Sequence, residues 1–432
     1  MRNKSMKVFG FFGRASYIGA AAALLAACGG PHSGFGAPVT SMPAVRSGLG
    51  PATSSEHVLY SFTGGNDGGN AATGLALDAH GNLYGTTVIG GPYTCGTVFE
   101  LAPQPSPPWK ETVLHNFTCY GDGKSPHGGV AFDPQGNLDG TTVAGGSGGA
   151  CASDGCGVVY QLTPQTENVL HSFTAGNDGF GPGGGVIFDK KGNVYGTTPD
   201  GGADSEGVVY EVSHAGKQWH EHVIHTFTGG NDGAVGSLGS LTIDASGSLY
   251  GVTEEGGAHS AGTAFKLSRV SNKRWKLTTI YAFKGSPDAG SPYGGLVADA
   301  KGNLYGTTYY GGANGLGTVY ELIHKGGRKY RERVLYSFKG GSDGSSSTTT
   351  LVFGTSADLY GTTSAGGGTC DCGTIFKLSS KSGTETVLHS FGSGTDGSYP
   401  YYGLTKDSSG NFYGTTVAGG SFGQGTVFKF TP

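Results

Sequence analysis

The sequence predicts an all-β fold, a seven-bladed β-propeller of four-stranded antiparallel blades. Three observations carry that expectation. Seven near-copies of one segment, each about 55 residues long, run from residue 57 to residue 432, and self-similarity at such a period marks a repeat architecture. Each complete copy holds four short runs rich in β-branched and aromatic residues, spaced by about 8 to 15 residues, which leaves no room for crossover helices and makes the sheets antiparallel. The seventh copy stops after its third strand, at residues 425–432, while an orphan fourth strand, residues 58–62, precedes the first copy. Pairing that N-terminal strand with the last three closes a ring, whereas a solenoid would call for polar end caps.

In the first copy the strands are read at residues 74–78, 82–87, 96–101 and 111–117. The turn from Asp78 to Asn82, D-x-x-G-N, is a hairpin signal with Gly suited to a left-handed position. It recurs at Asp133, Asp189, Asp299 and Asp407, with Ser248 replacing the Asn in the fourth copy and Gly354 breaking the pattern in the sixth. The second strand carries L-Y-G-T-T, with Tyr84, Tyr195, Tyr250, Tyr305, Tyr360 and Tyr413; Asp139 stands in the second copy and Val252 replaces the first Thr in the fourth. The third strand opens at Gly96, Gly157, Gly207, Gly262, Gly317, Gly373 and Gly425 with G-T-V-F or a variant. The fourth ends V-L-x-S-F or similar, at Phe62, Phe117, Phe173, Phe227, Phe283, Phe338 and Phe391. Gly85 and its equivalents sit mid-strand, where Gly weakens pairing, so an aromatic of the Phe62, Phe99 or Tyr84 class is expected to cover each.

Gly makes up 85 of 432 residues, but it falls at fixed places in each copy and so reads as turns and close contacts rather than low complexity. Charged residues are 13%, the net charge is −4, and no basic stripe occurs, which argues against nucleic acid as a partner. The N-terminus has Arg2, Lys4, Lys7 and Arg14, then an apolar stretch from Ala15 to Ala27, the pattern of an export signal rather than a spanning helix. Leu25-Ala26-Ala27-Cys28 resembles the bacterial lipobox, so residues 1–28 read as a lipoprotein-type signal ending at Cys28, the lipidated residue. An ordinary cleaved signal is the alternative. Residues 29–56, rich in Gly, Pro and Ser, read as a flexible tether, and residues 57–432 as the propeller.

Setting Cys28 aside leaves Cys95, Cys119, Cys151, Cys156, Cys370 and Cys372, which an exported protein can oxidise. Cys151 and Cys156 can close a small loop, Cys95 and Cys119 lie in loops of one face, and Cys370 and Cys372 would make a tight ring. Zinc-finger spacing is absent, so disulfides are expected and no metal or cofactor.

The repeated L-Y-G-T-T, G-G and G-T-V-F-x-L phrases on an exported chain resemble the GloVer tandem-repeat proteins, a bacterial group in which the same repeats are joined to different surface anchors. The likeness covers almost the whole mature chain. It implies a cell-surface or secreted repeat protein, anchored here through lipid on Cys28, with the outer membrane or cell surface as its location. It implies no established reaction, so no catalytic residue is carried over.

Candidate chemistry is thin. G-x-S-x-G occurs around Ser147, Ser342 and Ser421, but in loops between strands, where a nucleophile elbow needs a strand feeding a helix. Gly123-Lys124-Ser125 lacks the leading Gly and following helix of a phosphate loop. One Asp recurs in the loop entering every blade, Asp67, Asp122, Asp178, Asp232, Asp288, Asp343 and Asp396. A single carboxylate per loop is poor calcium chemistry, and an Asx turn is the reading adopted. His115, His171, His225 and His389 share a position with Tyr60, Tyr281 and Tyr336, which argues for packing. Asp139 breaks the repeat's own rule and is a candidate polar ligand contact, though a loosely packed, partly solvated second blade accounts for it.

Loops joining the second and third strands share a face with those linking blades, and that face collects aromatics: Tyr93, Tyr120, Tyr293, Tyr309, Tyr310, Tyr399, Tyr401 and Tyr402 are the candidate ligand contacts, beside Phe180 and Phe422. Rigid amphipathic rings make good binding surfaces, and packing over the sheet ends is the competing reading. The functional expectation is a lipid-anchored, non-enzymatic binding or scaffold module for a glycan or surface protein. The alternative is a carbohydrate-active enzyme, a glycoside hydrolase or lyase, which needs two carboxylates about 5–10 Å apart. Glu254 and Glu255 are the adjacent acidic pair on that face, and sequence neighbours rarely point at one substrate.

Overall fold

The computed structural model describes residues 55–432 apart from residues 72, 152, 153, 217, 237, 238, 272, 273, 328 and 393. Cys28, the expected leader and most of the expected tether lie outside the described residues. Seven antiparallel sheets follow one another around a ring. The first blade is made of Ala76–Leu77, Leu83–Thr87, Thr97–Ala102 and Lys110–Asn116. The last combines Thr405–Lys406, Phe412–Thr416 and Thr426–Thr431 with the N-terminal strand Ser55–Ser61. That closing strand runs antiparallel to the last one, Ser55 opposite Thr431 and Ser61 opposite Thr426. A short 3-10 turn is formed by Gly341–Asp343.

Each letter of L-Y-G-T-T has a separate task. The Leu is core: Leu83, Leu249 and Leu359 are fully buried. The Tyr hydroxyl donates to the hairpin Asp six residues earlier, as in Tyr413 to Asp407 at 3.1 Å, while that Asp also accepts the backbone N–H groups of its own turn. The Gly makes room for a ring on the third strand of the same blade. A Cβ on Gly85 would stand 2.7 Å from Phe99 Cζ, and one on Gly196 would stand 2.2 Å from the Tyr210 hydroxyl. All seven copies repeat this pairing, through Phe99, Tyr160, Tyr210, Phe265, Tyr320, Phe376 and Phe428. The expected covering aromatic is therefore the Phe99 class.

The first Thr ties blade to blade. Thr86, Thr141, Thr307, Thr362 and Thr415 donate to the carbonyls of Pro126, Gly184, Thr349, Pro400 and Thr73 on the next blade, at 2.8 to 3.3 Å. The bond from Thr415 to Thr73 closes the ring. The second Thr accepts from the backbone N–H that opens the third strand, as in Thr97 N to Thr87 Oγ1 at 3.2 Å.

Fourth strands carry a bulge at one fixed place. Val98 pairs with His115 and Phe99 with Val113, leaving Leu114 as the extra residue, and the same slip recurs in the other blades. A bulge bends the strand and sharpens its twist. The Phe that ends each fourth strand then meets the third-strand ring of the next blade edge-on, with centroids 5.0 to 5.4 Å apart in all seven interfaces. Seven apolar clusters of this kind form the core.

The loop Asp residues and the Tyr/His position turn out to be partners. Tyr60 donates to Asp67 at 3.0 Å, Tyr281 to Asp288 at 3.0 Å, and His225 Nε2 lies 3.1 Å from Asp232. The carboxylate also accepts the N–H four residues before it, as in Thr63 N to Asp67 at 2.8 Å. It reaches backward along the chain, so the forward Asx turn expected here belongs to the hairpin Asp instead.

The cysteines pair as Cys95–Cys119, Cys151–Cys156 and Cys370–Cys372, with Cα atoms 5.4, 5.4 and 5.1 Å apart. Each disulfide pins a loop on the face that carries the tyrosines.

Candidate functional site

Around the axis, the segments entering neighbouring blades meet backbone to backbone. A Cβ on Gly294 would stand 2.2 Å from the Thr349 carbonyl oxygen, and one on Gly128 would stand 2.3 Å from that of Gly184. Glycine is required here because two main chains occupy the space of a side chain. Two sets of described residues border this inner ring on the tyrosine face. One precedes the G-G or equivalent pair: His127, Gly183, Tyr293, Thr348 and Tyr401. The other follows the second Thr of L-Y-G-T-T: Val88, Val143, Pro199, Glu254, Tyr309, Ser364 and Val417.

Blades 4 to 7 bring polar and aromatic groups together at these places. Tyr293 lies within electrostatic reach of Tyr402, Glu254, Tyr309 and Tyr401, and burial together with these neighbours holds its phenol well above the usual range. Tyr401 in turn senses Tyr309 and Tyr399, and the Tyr399 and Tyr401 rings lie nearly parallel, 6.4 Å apart. Tyr309 meets Tyr310 edge-on at 4.6 Å. The backbone beneath is fixed: Thr348 Oγ1 donates to the Tyr401 carbonyl at 2.6 Å, and Thr362 Oγ1 reaches those of Pro400 and Tyr402.

Glu254 supplies the carboxylate of the group. It is half-buried, and burial pushes its carboxyl up to about 7, with Glu255 adding to the shift. Glu255 itself is exposed, so the two neighbours do point apart. His127, across the ring on blade 2, is held down at about 4 by burial and is neutral at pH 7.

Tyr399 stands out on its backbone. It has φ 59° where other copies place Asn70, Ser125, Gly181, Ser291 and Ser346, all left-handed. A bulky ring in that slot is unusual, and strain of this sort collects at sites where a side chain must be aimed. Its N–H bonds to the Cys372 carbonyl at 2.8 Å, which ties the strained residue to a disulfide loop.

The other candidates separate from this group. Tyr93 and Tyr120 are 56% and 75% exposed beside the Cys95–Cys119 disulfide, and Tyr120 borders an open depression of about 190 Å³ with Gly145, Gly146, Gly148, Gly149 and Gly155. They belong to the loops of blades 1 and 2, not to the cluster of blades 4 to 7. Tyr310 is exposed at the cluster's edge.

Asp139 requires a correction. It is fully buried rather than partly solvated, and no well-formed hydrogen bond reaches either carboxylate oxygen. It lies at the hairpin end of its strand, opposite Gln161 and Ala131, whereas the tyrosine cluster sits at the other end. Gln161 has taken over the hairpin, donating to Asp133 at 3.0 Å, so Asp139 is left without the partner a Tyr hydroxyl would have had. Burial pushes its carboxyl to about 7, against a lowering contribution from Gln161.

Carboxyl pairs do occur, at the rim. Tyr281 donates to Asp288 at 3.0 Å and to Glu332 at 3.4 Å, in a groove of about 660 Å³ between blades 4 and 5. Glu56, Glu111, Glu167, Glu221 and Glu385 occupy the same strand position and face a loop Asp in the same way. Repetition at six interfaces marks these pairs as part of the scaffold. Among the described residues no group of three or more His, Cys, Asp or Glu side chains is placed to hold a metal ion.

A model of the Gloeobacter/Verrucomicrobia repeat matches residues 150–330 and 271–432. No curated protein matches the chain. Among solved structures it is similar to a gluconolactonase from Xanthomonas campestris, 13% identical with a TM-score of 0.38 over 69% of this chain and 91% of that one. It is similar also to a putative 6-phosphogluconolactonase from Bacteroides uniformis, at 14%, 0.45, 74% and 84%. A putative oxidoreductase (glucose dehydrogenase) from Thermus thermophilus gives 15%, 0.39, 72% and 98%.

Proposed function

Given that the chain belongs to the Gloeobacter/Verrucomicrobia repeat family, we propose that it is an exported, lipid-anchored and non-enzymatic binding module, whose glycan or protein ligand docks at the tyrosine-lined mouth of blades 4 to 7. One observation carries the reading: Glu254, Tyr293, Tyr309, Tyr401 and Tyr402, contributed by three different blades, converge at the inner ring. The equivalent described places on blades 1 to 3 hold Val88, His127, Val143, Gly183 and Pro199, with no phenol and no carboxylate. Packing needs are alike in all seven blades, so a one-sided concentration of phenols favours recognition over mere coverage of the sheet ends. The lipobox-like run at Cys28 supports anchoring at a membrane, with the outer membrane or cell surface as the site.

The test is retention of the purified chain on a panel of polysaccharides and cell-wall fractions, read together with newly released reducing ends. Retention without release, lost in Tyr401→Ala and Tyr293→Ala, is the expected result. Release of reducing ends abolished by Glu254→Gln would replace the module by an enzyme. For the anchor, Cys28→Ala should move the protein from the membrane to the soluble fraction; unchanged fractionation would remove that part of the reading.

A further inference from the structure

We propose that the mouth recognises a cationic ammonium group, an amine or quaternary ammonium carried by the ligand, with Glu254 as its counter-ion and Tyr293, Tyr309 and Tyr401 as its aromatic walls. The inference rests on the binding reading above and names the chemistry of the ligand.

Charge is the first argument. Among the described residues bordering the inner ring there is Glu254 and no Lys or Arg, and His127 is neutral at pH 7. An anionic ligand would meet an uncompensated carboxylate, while a cation would meet its only formal charge partner in that row. Ring geometry is the second. A cation over the face of a phenol is attracted by the ring quadrupole, more strongly once both are desolvated, and Tyr293 lies within electrostatic reach of the Glu254 carboxylate and of the phenols of Tyr309, Tyr401 and Tyr402, with Tyr309 packed edge-on against Tyr310 at 4.6 Å and Tyr401 nearly parallel to Tyr399 at 6.4 Å.

Burial is the third. An ionised carboxylate out of water is costly without a counter-ion. Glu254 is half-buried, and its raised pKa reflects that cost. A bound ammonium offsets it, and a neutral sugar ring does not. The phenols would serve a sugar equally well, so Glu254 is the residue that distinguishes the two ligand classes.

The experiment titrates the purified full chain with choline, with its uncharged isostere 3,3-dimethyl-1-butanol, and with cellobiose, following tyrosine ring signals by NMR. Choline should bind saturably and at least about tenfold more tightly than the isostere. Glu254→Gln, which keeps the side chain's shape, should sharply reduce that preference while melting like the parent, and Tyr401→Ala should weaken choline where Tyr401→Phe does not. Equal binding of choline and its isostere overturns the inference. So does titration of the same tyrosines by cellobiose but not by choline, an outcome that leaves the binding reading intact. If no probe moves these tyrosines and no polysaccharide or cell-wall fraction retains the chain, both readings fall together.

Discussion

Replacing Tyr210 by Phe should stabilise the ring. Tyr210 is fully buried on the third strand of blade 3, its ring packs edge-on against Phe173 at 5.2 Å, and its hydroxyl has no protein hydrogen-bond partner. Burial and the nearby Glu221 raise the phenol's pKa, as expected for a hydroxyl held away from water. Four other blades place Phe99, Phe265, Phe376 and Phe428 in this slot, all fully buried, so the ring alone satisfies the packing. A buried donor left unsatisfied costs about 1–3 kcal/mol. Removing the oxygen and keeping the ring should recover the lower part of that range, about 1 kcal/mol. Urea unfolding reads this as a higher midpoint at unchanged slope. The reverse change, Phe265→Tyr in blade 4, should lower stability by a similar amount. Loss of about 1 kcal/mol or more in Tyr210→Phe would show that the hydroxyl is bonded in solution and that the slot is tuned blade by blade.

Gly251→Ala should cost about 1–3 kcal/mol by overpacking, because its Cβ would stand 2.6 Å from Phe265 Cζ and 2.8 Å from Leu241 Cδ2; wild-type melting would refute the ring-over-glycine account. Removing residues up to Ser61 should abolish cooperative unfolding, since the last blade loses its fourth strand; an unchanged transition would contradict ring closure. Stability should fall as pH rises. Burial raises Glu56 and Glu332 from 4.5 to about 8, and Glu111, Glu167, Glu221 and Glu385 to about 7. Groups raised in the folded state contribute stability that is fully present below about pH 4.5 and lost through pH 7 to 8. Glu332→Gln should shrink the difference between unfolding midpoints at pH 5 and pH 8.5, and an undiminished difference would sink this assignment.

Much of the scaffold was legible because its signals are local and repeated. The hairpin Asp, the mid-strand Gly and the orphan strand at residues 58–62 each announce a conformation within a few residues, and seven copies average away the noise. The bulge at Leu114 and its equivalents was not legible, since V-L-x-S-F reads equally well as a regular strand. Nor was the partnership of Tyr60 with Asp67, which spans a turn that sequence spacing alone does not close. Asp139 went wrong for a related reason. Whether a carboxylate in a strand is solvated depends on what lies across it, and Gln161 had already claimed the hairpin that would have received it.

The site was half legible. Loop position picked out the tyrosines, but which of them converge depends on how a closed ring turns blades 4, 5 and 7 toward one another. Tyr93 and Tyr120 share the face without sharing the mouth. In sequence Glu254 stands out only as an acidic neighbour of Glu255, and nothing local marks His127. Their place beside the inner ring follows from equivalence with Tyr309 and Tyr401, a comparison that strand register makes secure.

Hydrogen–deuterium exchange of the full chain, with and without a polysaccharide or cell-wall fraction that retains it, tests the central claim most directly. The account predicts new protection confined to residues 252–256, 289–296, 307–312 and 398–404. Protection centred on the loops of Tyr93 and Tyr120, or spread evenly over the blades, would contradict it.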